Sequence, residues 1–182
     1  MRFASLLALA VLAAALAAAP ARAQDNAAQQ SEVLQRARAT ANEFFVADPK
    51  LREQTRNAPG YAVFTTFGIS FLLGGAGGRG VVFDNRTGRH TYMNLAQASA
   101  GLQAGIADTR YLFIFNTARD MERFINSGWE VGAGGGAGAG AGRRGSVGSG
   151  GGEFTGGRMY MLTRTGLQAG GAVAGTRVWR AS

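Results

Sequence analysis

The sequence predicts an α+β fold in which N-terminal helices and one internal helix pack on a glycine-rich antiparallel β-sheet that curls into a barrel or sandwich. Three observations lead to this prediction. Apolar residues recur at helical spacing over residues 31–45, the period changes to two beyond residue 60, and the chain contains 29 glycines. A chain of 182 residues with 46% hydrophobic content is expected to form one domain with a sizeable core.

Two helices are predicted in the N-terminal part of the chain, before residue 60. From Ser31 onward the apolar residues are spaced three and four apart, which is the period of one helix face. Asp48-Pro49 restarts a helix, because aspartate is a favoured N-cap and proline is favoured at the first helical position. That second helix should end before Ala58-Pro59-Gly60. The polar residues 24–30 are expected to be flexible.

The internal helix is predicted over residues 117–127. Thr117 and Asp120 form a pair resembling a capping box, and Gly128 follows the last turn. Its buried stripe is expected to consist of four side chains, namely Ala118, Met121, Phe124 and Ile125.

Strands account for most of the remaining chain. The predicted strand segments are 61–64, 67–73, 81–83, 90–93, 101–107 and 111–115, with a turn at 84–88. The segment Gly101-Leu-Gln-Ala-Gly105 recurs as Gly166-Leu-Gln-Ala-Gly170, which suggests two equivalent positions in the sheet.

In the stretch from Trp129 to Ala141 every even position from Gly132 onward is glycine, and the odd positions carry mostly small or apolar residues. This period of two favours a strand with one bare face. Residues 145–152 lose the alternation and are predicted to be a flexible glycine-rich loop.

The first 23 residues have the features of a secretory signal peptide. Arg2 precedes an apolar run, and Ala21-Arg22-Ala23 provides the small residues of a cleavage site. Cleavage after Ala23 would leave a mature chain beginning at Gln24 and lower the net charge from +8 to +6. We expect a periplasmic protein that has no nucleic acid partner, and that is not a lipoprotein because there is no cysteine to be lipidated.

Composition argues against catalysis and against a cofactor. The chain has no cysteine and one histidine, His90, so thiol nucleophiles and sites with two imidazoles are excluded. The sequence from Gly75 to Gly80 satisfies G-x-G-x-x-G, but a strand rather than a helix is predicted to follow it, which does not fit a dinucleotide site. A glycine-rich bend between strands is the expected structure there.

Arginine dominates the basic residues. Lys50 is the only lysine among 19 basic side chains, and the guanidinium group binds phosphate and carboxylate in a bidentate manner. The clusters that we expect to contact anionic headgroups lie around one hairpin and at the end of the glycine strand: Arg79, Arg86, Arg89, Arg143 and Arg144. Each cluster taken alone fits a solvated, charged sheet edge equally well.

Five segments in a fixed order resemble a known family. They are Gly60-Tyr-Ala-Val-Phe64, Gly78-Arg-Gly-Val-Val82, Ser99-Ala-Gly-Leu-Gln-Ala-Gly105, Ser127-Gly-Trp-Glu-Val-Gly-Ala133 and Gly166-Leu-Gln-Ala-Gly170. Together they resemble the bacterial, exported branch of the SYLF-domain family, over about residues 31–180. The resemblance implies a lipid-binding module that recognises acidic phospholipids.

These observations predict a non-enzymatic protein that binds anionic phospholipid headgroups at the periplasmic face of an envelope membrane. Two alternatives remain open at this point. One is a small outer-membrane β-barrel, which export and alternating strands also fit. The other is a structural envelope protein that binds a protein partner through a sheet edge.

Overall fold

A computed structural model describes residues 26–69, 75–98, 109–130, 152–163, 166–169 and 176–182. The chain forms two compact units, Met1–Val33 and Leu34–Ser182. Residues 26–33 of the first unit are helical, and all the described strands belong to the second unit. The predicted signal peptide lies outside the described residues.

Three helices are present in the described ranges. Helix α1 covers residues 26–47, so it begins before the predicted Ser31. Helix α2 is Pro49–Asn57, and the carboxylate of Asp48 accepts a hydrogen bond of 3.0 Å from the backbone N–H of Lys50. The predicted aspartate cap and N-terminal proline of α2 are confirmed.

Helix α3 is Ala118–Ser127 and has both predicted caps. The hydroxyl of Thr117 accepts a hydrogen bond of 3.1 Å from the backbone N–H of Asp120. Gly128 ends the helix at φ +73°, and a Cβ there would lie 2.4 Å from the carbonyl oxygen of Val178. Glycine is therefore required at that position for both conformation and space.

The described residues contain nine strands, and every pairing between them is antiparallel. They are β1 Gly60–Ile69, β2 Gly75–Asp84, β3 His90–Ala98, β4 Arg110–Phe115, β5 Trp129–Glu130, β6 Gly152–Phe154, β7 Gly157–Thr163, β8 Gly166–Ala169 and β9 Thr176–Arg180. Their order is β5-β9-β3-β2-β1-β4-β7-β6, and β8 also pairs with β7. The predicted α+β class with an antiparallel sheet is confirmed.

One local prediction is wrong. Residues 75–80 were expected to form a bend between strands, but they are the first part of β2 and pair with both β1 and β3. The reason lies in the close approach of β1. A Cβ at Gly80 would lie 2.3 Å from the Phe64 ring, so glycine makes room for a core aromatic side chain within a regular strand.

The inner face of the sheet forms the main core. Phe113 lies at its centre, with ring centroids 5.7 Å from Phe64, 5.3 Å from Phe124 of α3 and 5.2 Å from Trp129. Trp129 of β5 and Phe154 of β6 come from opposite ends of the strand order, yet their ring centroids are 6.2 Å apart. The sheet is therefore curled around a cluster of aromatic side chains.

Several predicted segments fall outside the described residues. These are the strand at 101–107, the glycine alternation beyond Glu130 and most of the 145–152 loop, of which Gly152 begins β6. The second copy of the repeated pentapeptide does contain a strand, because β8 occupies four of its five residues.

Candidate functional site

One half of the outer sheet face is covered by α1 and α2. The hydroxyls of Thr40 and Thr65 are 3.0 Å apart, and Glu43 Oε2 lies 3.0 Å from Arg110 Nε. The hydroxyl of Tyr160 donates a hydrogen bond to Gln54 Oε1 across 3.0 Å. These contacts place the helices over β1, β4 and β7.

The other half of the outer face carries exposed side chains on β2, β3 and β9. Arg79, Arg177 and Trp179 are exposed there, and 41% of Trp179 is accessible. We call this surface the Arg79 platform; it consists of Gly77, Arg79, Asn94, Ala96, Arg177 and Trp179. Trp179 points outward because its neighbour Val178 belongs to the inner core.

Strand register arranges the platform in two rows. Trp179, Asn94 and Arg79 are successive cross-strand partners, and so are Arg177, Ala96 and Gly77. Two strand spacings put the Cα atoms of Trp179 and Arg79 about 10 Å apart. A Cβ at Gly77 would meet nothing within 4 Å, so there is open space above the backbone of Gly77 on this surface.

The arginines of the platform are available to an external anion. Among the described residues Arg79 has no ion-pair partner. Arg177 Nε lies 4.0 Å from Glu130 Oε2, and the Arg177 side chain is 70% exposed. An ion pair of that length and exposure contributes little free energy, so it competes weakly with a ligand.

The structure separates the arginines that were predicted to act together. Arg79 lies on the platform, five residues before Asp84, and this spacing puts it about 17 Å from the β2–β3 turn. Arg86 and Arg89 lie at that turn, where Arg86 approaches Asp84 at 3.8 Å and Glu122 at 3.9 Å. Arg143 and Arg144 lie outside the described residues.

The β2–β3 turn is organised around the carboxylate of Asp84. This group accepts hydrogen bonds from the backbone N–H of Arg86 at 2.9 Å and from the hydroxyl of Thr87 at 2.8 Å. Slight burial raises the pKa of Asp84, but these hydrogen bonds and the charge of Arg86 outweigh it, and the pKa is lowered overall. The backbone N–H of Arg86 therefore helps to fix the turn, while its guanidinium forms only long, exposed ion pairs there.

Sequence reasoning missed Arg177 and Trp179. The sequence contained the pattern that would have placed them together, because residues two apart in a strand lie on the same face. Thr176 and Val178 are buried while Arg177 and Trp179 are exposed, which is the alternation expected of a half-covered strand.

A second polar cluster lies inside the curled sheet. Gln97 Nε2 donates hydrogen bonds to the Tyr111 hydroxyl at 2.5 Å and to Thr176 Oγ1 at 3.2 Å. Burial raises the pKa of Tyr111, although its hydrogen bond with Gln97 opposes the shift. Gln97 Oε1 and Trp129 Nε1 have no hydrogen-bond partner. These hydrogen bonds connect strands β3, β4 and β9. Because the side chains are buried, the cluster offers no binding surface to a ligand.

Neither a metal cluster nor a membrane-spanning helix is found in the described part of the chain. That part holds no group of three or more His, Cys, Asp or Glu side chains arranged for a metal ion. Within the same ranges, no helix has both the length and the apolar composition needed to cross a membrane.

Comparison with known proteins gives a local similarity. No family model matches the chain. Beta cell expansion factor A of Aeromonas veronii is 35% identical to it over 89 residues. The aligned segment is 48% of this chain and 33% of that protein, so the chain spans about a third of the relative's length.

Proposed function

We propose that this chain is an exported, non-enzymatic module of the SYLF type, and that it binds anionic phospholipid headgroups at the periplasmic face of an envelope membrane. The observation that carries the proposal is the Arg79 platform. There, two exposed arginines with little or no internal neutralisation lie near an exposed tryptophan, on a part of the sheet that no described helix covers.

The chemistry of the platform suits a phosphate-rich surface. A basic side chain near an anionic leaflet gains about 1 kcal/mol, and the guanidinium group can bind two phosphate oxygens at once. Tryptophan favours the boundary between headgroups and acyl chains, because its ring is apolar and its N–H is polar. Arg79 and Arg177 would bind phosphates while Trp179 inserts between headgroups.

The net charge of the chain supports the same partner. A charge of +8, or +6 after the predicted cleavage, favours approach to an acidic membrane over a neutral one. The similarity to Beta cell expansion factor A neither supports nor opposes lipid binding, since that name specifies no ligand.

The closure of the sheet is part of the proposal. We infer that the curled sheet continues into a barrel or sandwich, and the contact between Trp129 and Phe154 supports this. A closed inner face would leave the outer face as the binding surface.

Vesicle flotation tests the proposal. The 182-residue protein is expressed, purified and mixed at low salt with phosphatidylcholine vesicles that contain or lack phosphatidylglycerol or cardiolipin. We expect flotation with the acidic vesicles only, and loss of flotation as salt is raised. Equal flotation with neutral and acidic vesicles would contradict the proposal, and so would no flotation with either.

Paired substitutions locate the binding surface. Replacing Arg79 and Arg177 together by Gln should lower the partition constant on acidic vesicles by about 30-fold, which corresponds to about 1 kcal/mol for each charge. The matched control replaces Arg119 and Arg123 together by Gln, which removes the same two charges from exposed positions on α3. If both proteins lost affinity equally, net charge rather than the platform would be responsible.

A further inference from the structure

A cleft of about 640 Å³ lies between α2 and one end of the sheet. One wall is the exposed face of α2, with Lys50, Glu53 and Asn57. The opposite wall contains Asn116, which follows β4, and Arg158 of β7. Its volume lies in the range of pockets that hold small ligands.

The cleft lies away from the Arg79 platform. Arg158 pairs in register with Ile114, and Ile114 with Tyr61. Arg79 pairs with Thr65, four residues further along β1 and on its other side. Strand geometry therefore separates Arg79 and Ile114 by about 16 Å between Cα atoms, so a ligand in one site leaves the other free.

The charged side chains of the cleft favour a monoanion. Within the described ranges, Lys50, Arg158 and Glu53 have no ion-pair partner. Two cations and one carboxylate give the site a formal charge of +1. Arg158 offers a planar pair of donors that matches a carboxylate, and Lys50 adds a point charge. Glu53 would repel a dianion such as a phosphate monoester.

The neutral side chains favour amide groups in the same ligand. Asn57 and Asn116 are exposed in the cleft, and each has an amide that donates and accepts hydrogen bonds. The Gln54 amide uses its oxygen to accept from Tyr160, so its NH₂ group remains for a ligand carbonyl. Ala58 and Pro59 add apolar surface between these groups.

We propose that this cleft binds the C-terminal end of a peptide, with the free carboxylate held by Arg158 and Lys50 and the preceding amides held by Asn57 and Asn116. A peptide terminus is a monoanion whose amides stand next to the carboxylate, which is the combination that the cleft offers. The site does not depend on lipid binding, because it shares no residue with the platform.

Calorimetric or NMR titration tests the peptide site. The probes are N-acetyl-alanyl-alanine, its C-terminal amide and acetate, each added to the purified 182-residue protein. We expect saturable binding of the free dipeptide, and binding at least about tenfold weaker for the other two probes. The amidated form lacks the carboxylate, and acetate lacks the amide groups. Equal binding of all three probes, or none, would overturn the proposal.

Three substitutions with different expected outcomes sharpen the test. Arg158→Gln should weaken dipeptide binding by about tenfold or more, because it removes the bidentate donor. Glu53→Gln should strengthen binding by about threefold, because it removes a repulsive carboxylate. Arg119→Gln should leave binding unchanged. All three positions are exposed, so an unchanged melting temperature is expected and checks the fold.

Two outcomes of this series would reject the assignment. One is dipeptide binding that survives Arg158→Gln, and the other is weaker binding in Glu53→Gln. Vesicle flotation of the Arg158→Gln protein is measured in parallel and should match that of Arg119→Gln. Loss of peptide binding with retained flotation would separate this site from the lipid surface.

Discussion

Arg79 and Arg110 occupy matched positions on the outer sheet face, yet they have different surroundings. Both are cross-strand partners of Thr65, one on each side of β1. Arg110 lies under α1, where its Nε is 3.0 Å from Glu43 and its side chain is 31% exposed. Arg79 is exposed and has no ion-pair partner in the described part of the chain.

The difference comes from the helices and not from the strands. Where α1 and α2 lie on the sheet, three polar groups of the outer face have partners on the helices: Thr65 with Thr40, Arg110 with Glu43, and Tyr160 with Gln54. Beyond the helices the same face keeps its charge in solvent. An arginine on this sheet is therefore structural where a helix supplies a carboxylate and is available for binding where none does.

Removal of a side chain that anchors α2 should give the largest effect on stability. Leu51 is fully buried, so Leu51→Ala should lower the free energy of unfolding by about 3 kcal/mol through lost burial and the cavity that remains. Chemical denaturation measures this change. Val46→Ala, at a residue that is 73% exposed, should change the same quantity by less than about 0.5 kcal/mol. Equal effects would mean that the helices do not cover the outer face as described.

The inner face should contribute to a loss of stability at alkaline pH through Tyr111, beside a contribution from Tyr61 of the outer face, whose pKa is also raised by burial. Because the pKa of Tyr111 is raised in the folded state, its burial stabilises the protein below pH about 10, and this contribution declines as the pH rises from there toward the folded-state pKa. Tyr111→Phe should flatten this alkaline loss of stability, measured by thermal unfolding at a series of pH values. An unchanged alkaline slope in the variant would refute the assignment to Tyr111.

The comparison of the two arginines can be tested by substituting each alone. Arg79→Gln should reduce partitioning onto phosphatidylglycerol vesicles about fivefold, which corresponds to loss of about 1 kcal/mol of interfacial attraction. Arg110→Gln should leave partitioning unchanged, because its guanidinium is held by Glu43. Flotation at one low salt concentration measures both. A larger loss for Arg110→Gln would reverse the roles assigned to the two halves.

The smallest expected effect is the coupling between Glu43 and Arg110. Both side chains are partly exposed, so a double-mutant cycle with Glu43→Gln and Arg110→Gln should give about 0.5 kcal/mol. The same cycle with Glu43 and Arg79 serves as the control and should give none. Coupling between Glu43 and Arg79 would show that the helix also neutralises the platform.

Local signals in the sequence predicted the local elements well. The caps at Asp48, Thr117 and Gly128 act within a few residues, and all three are confirmed. The glycines of β2 were misassigned to a bend because their cause is distant in sequence: Phe64 needs the space at Gly80.

The composition of the platform could be predicted only in part. Arg79 was among the predicted residues, but its neighbours there come from β3 and β9, which are adjacent to β2 only through the strand order. Net charge indicated that arginines matter and gave no means to distinguish Arg79 from Arg110. That distinction depends on which strands the helices cover, and pairing across long sequence separations determines this.

Trp179 and the arginines near it are the proposed membrane contact, and the fluorescence of Trp179 reports on that contact. The chain has two tryptophans, so Trp129→Phe leaves Trp179 as the only one. On addition of phosphatidylglycerol vesicles that carry brominated acyl chains, we expect a blue shift and quenching of Trp179 emission, with no change for phosphatidylcholine vesicles. Vesicle binding without any change in Trp179 emission would contradict the proposed contact.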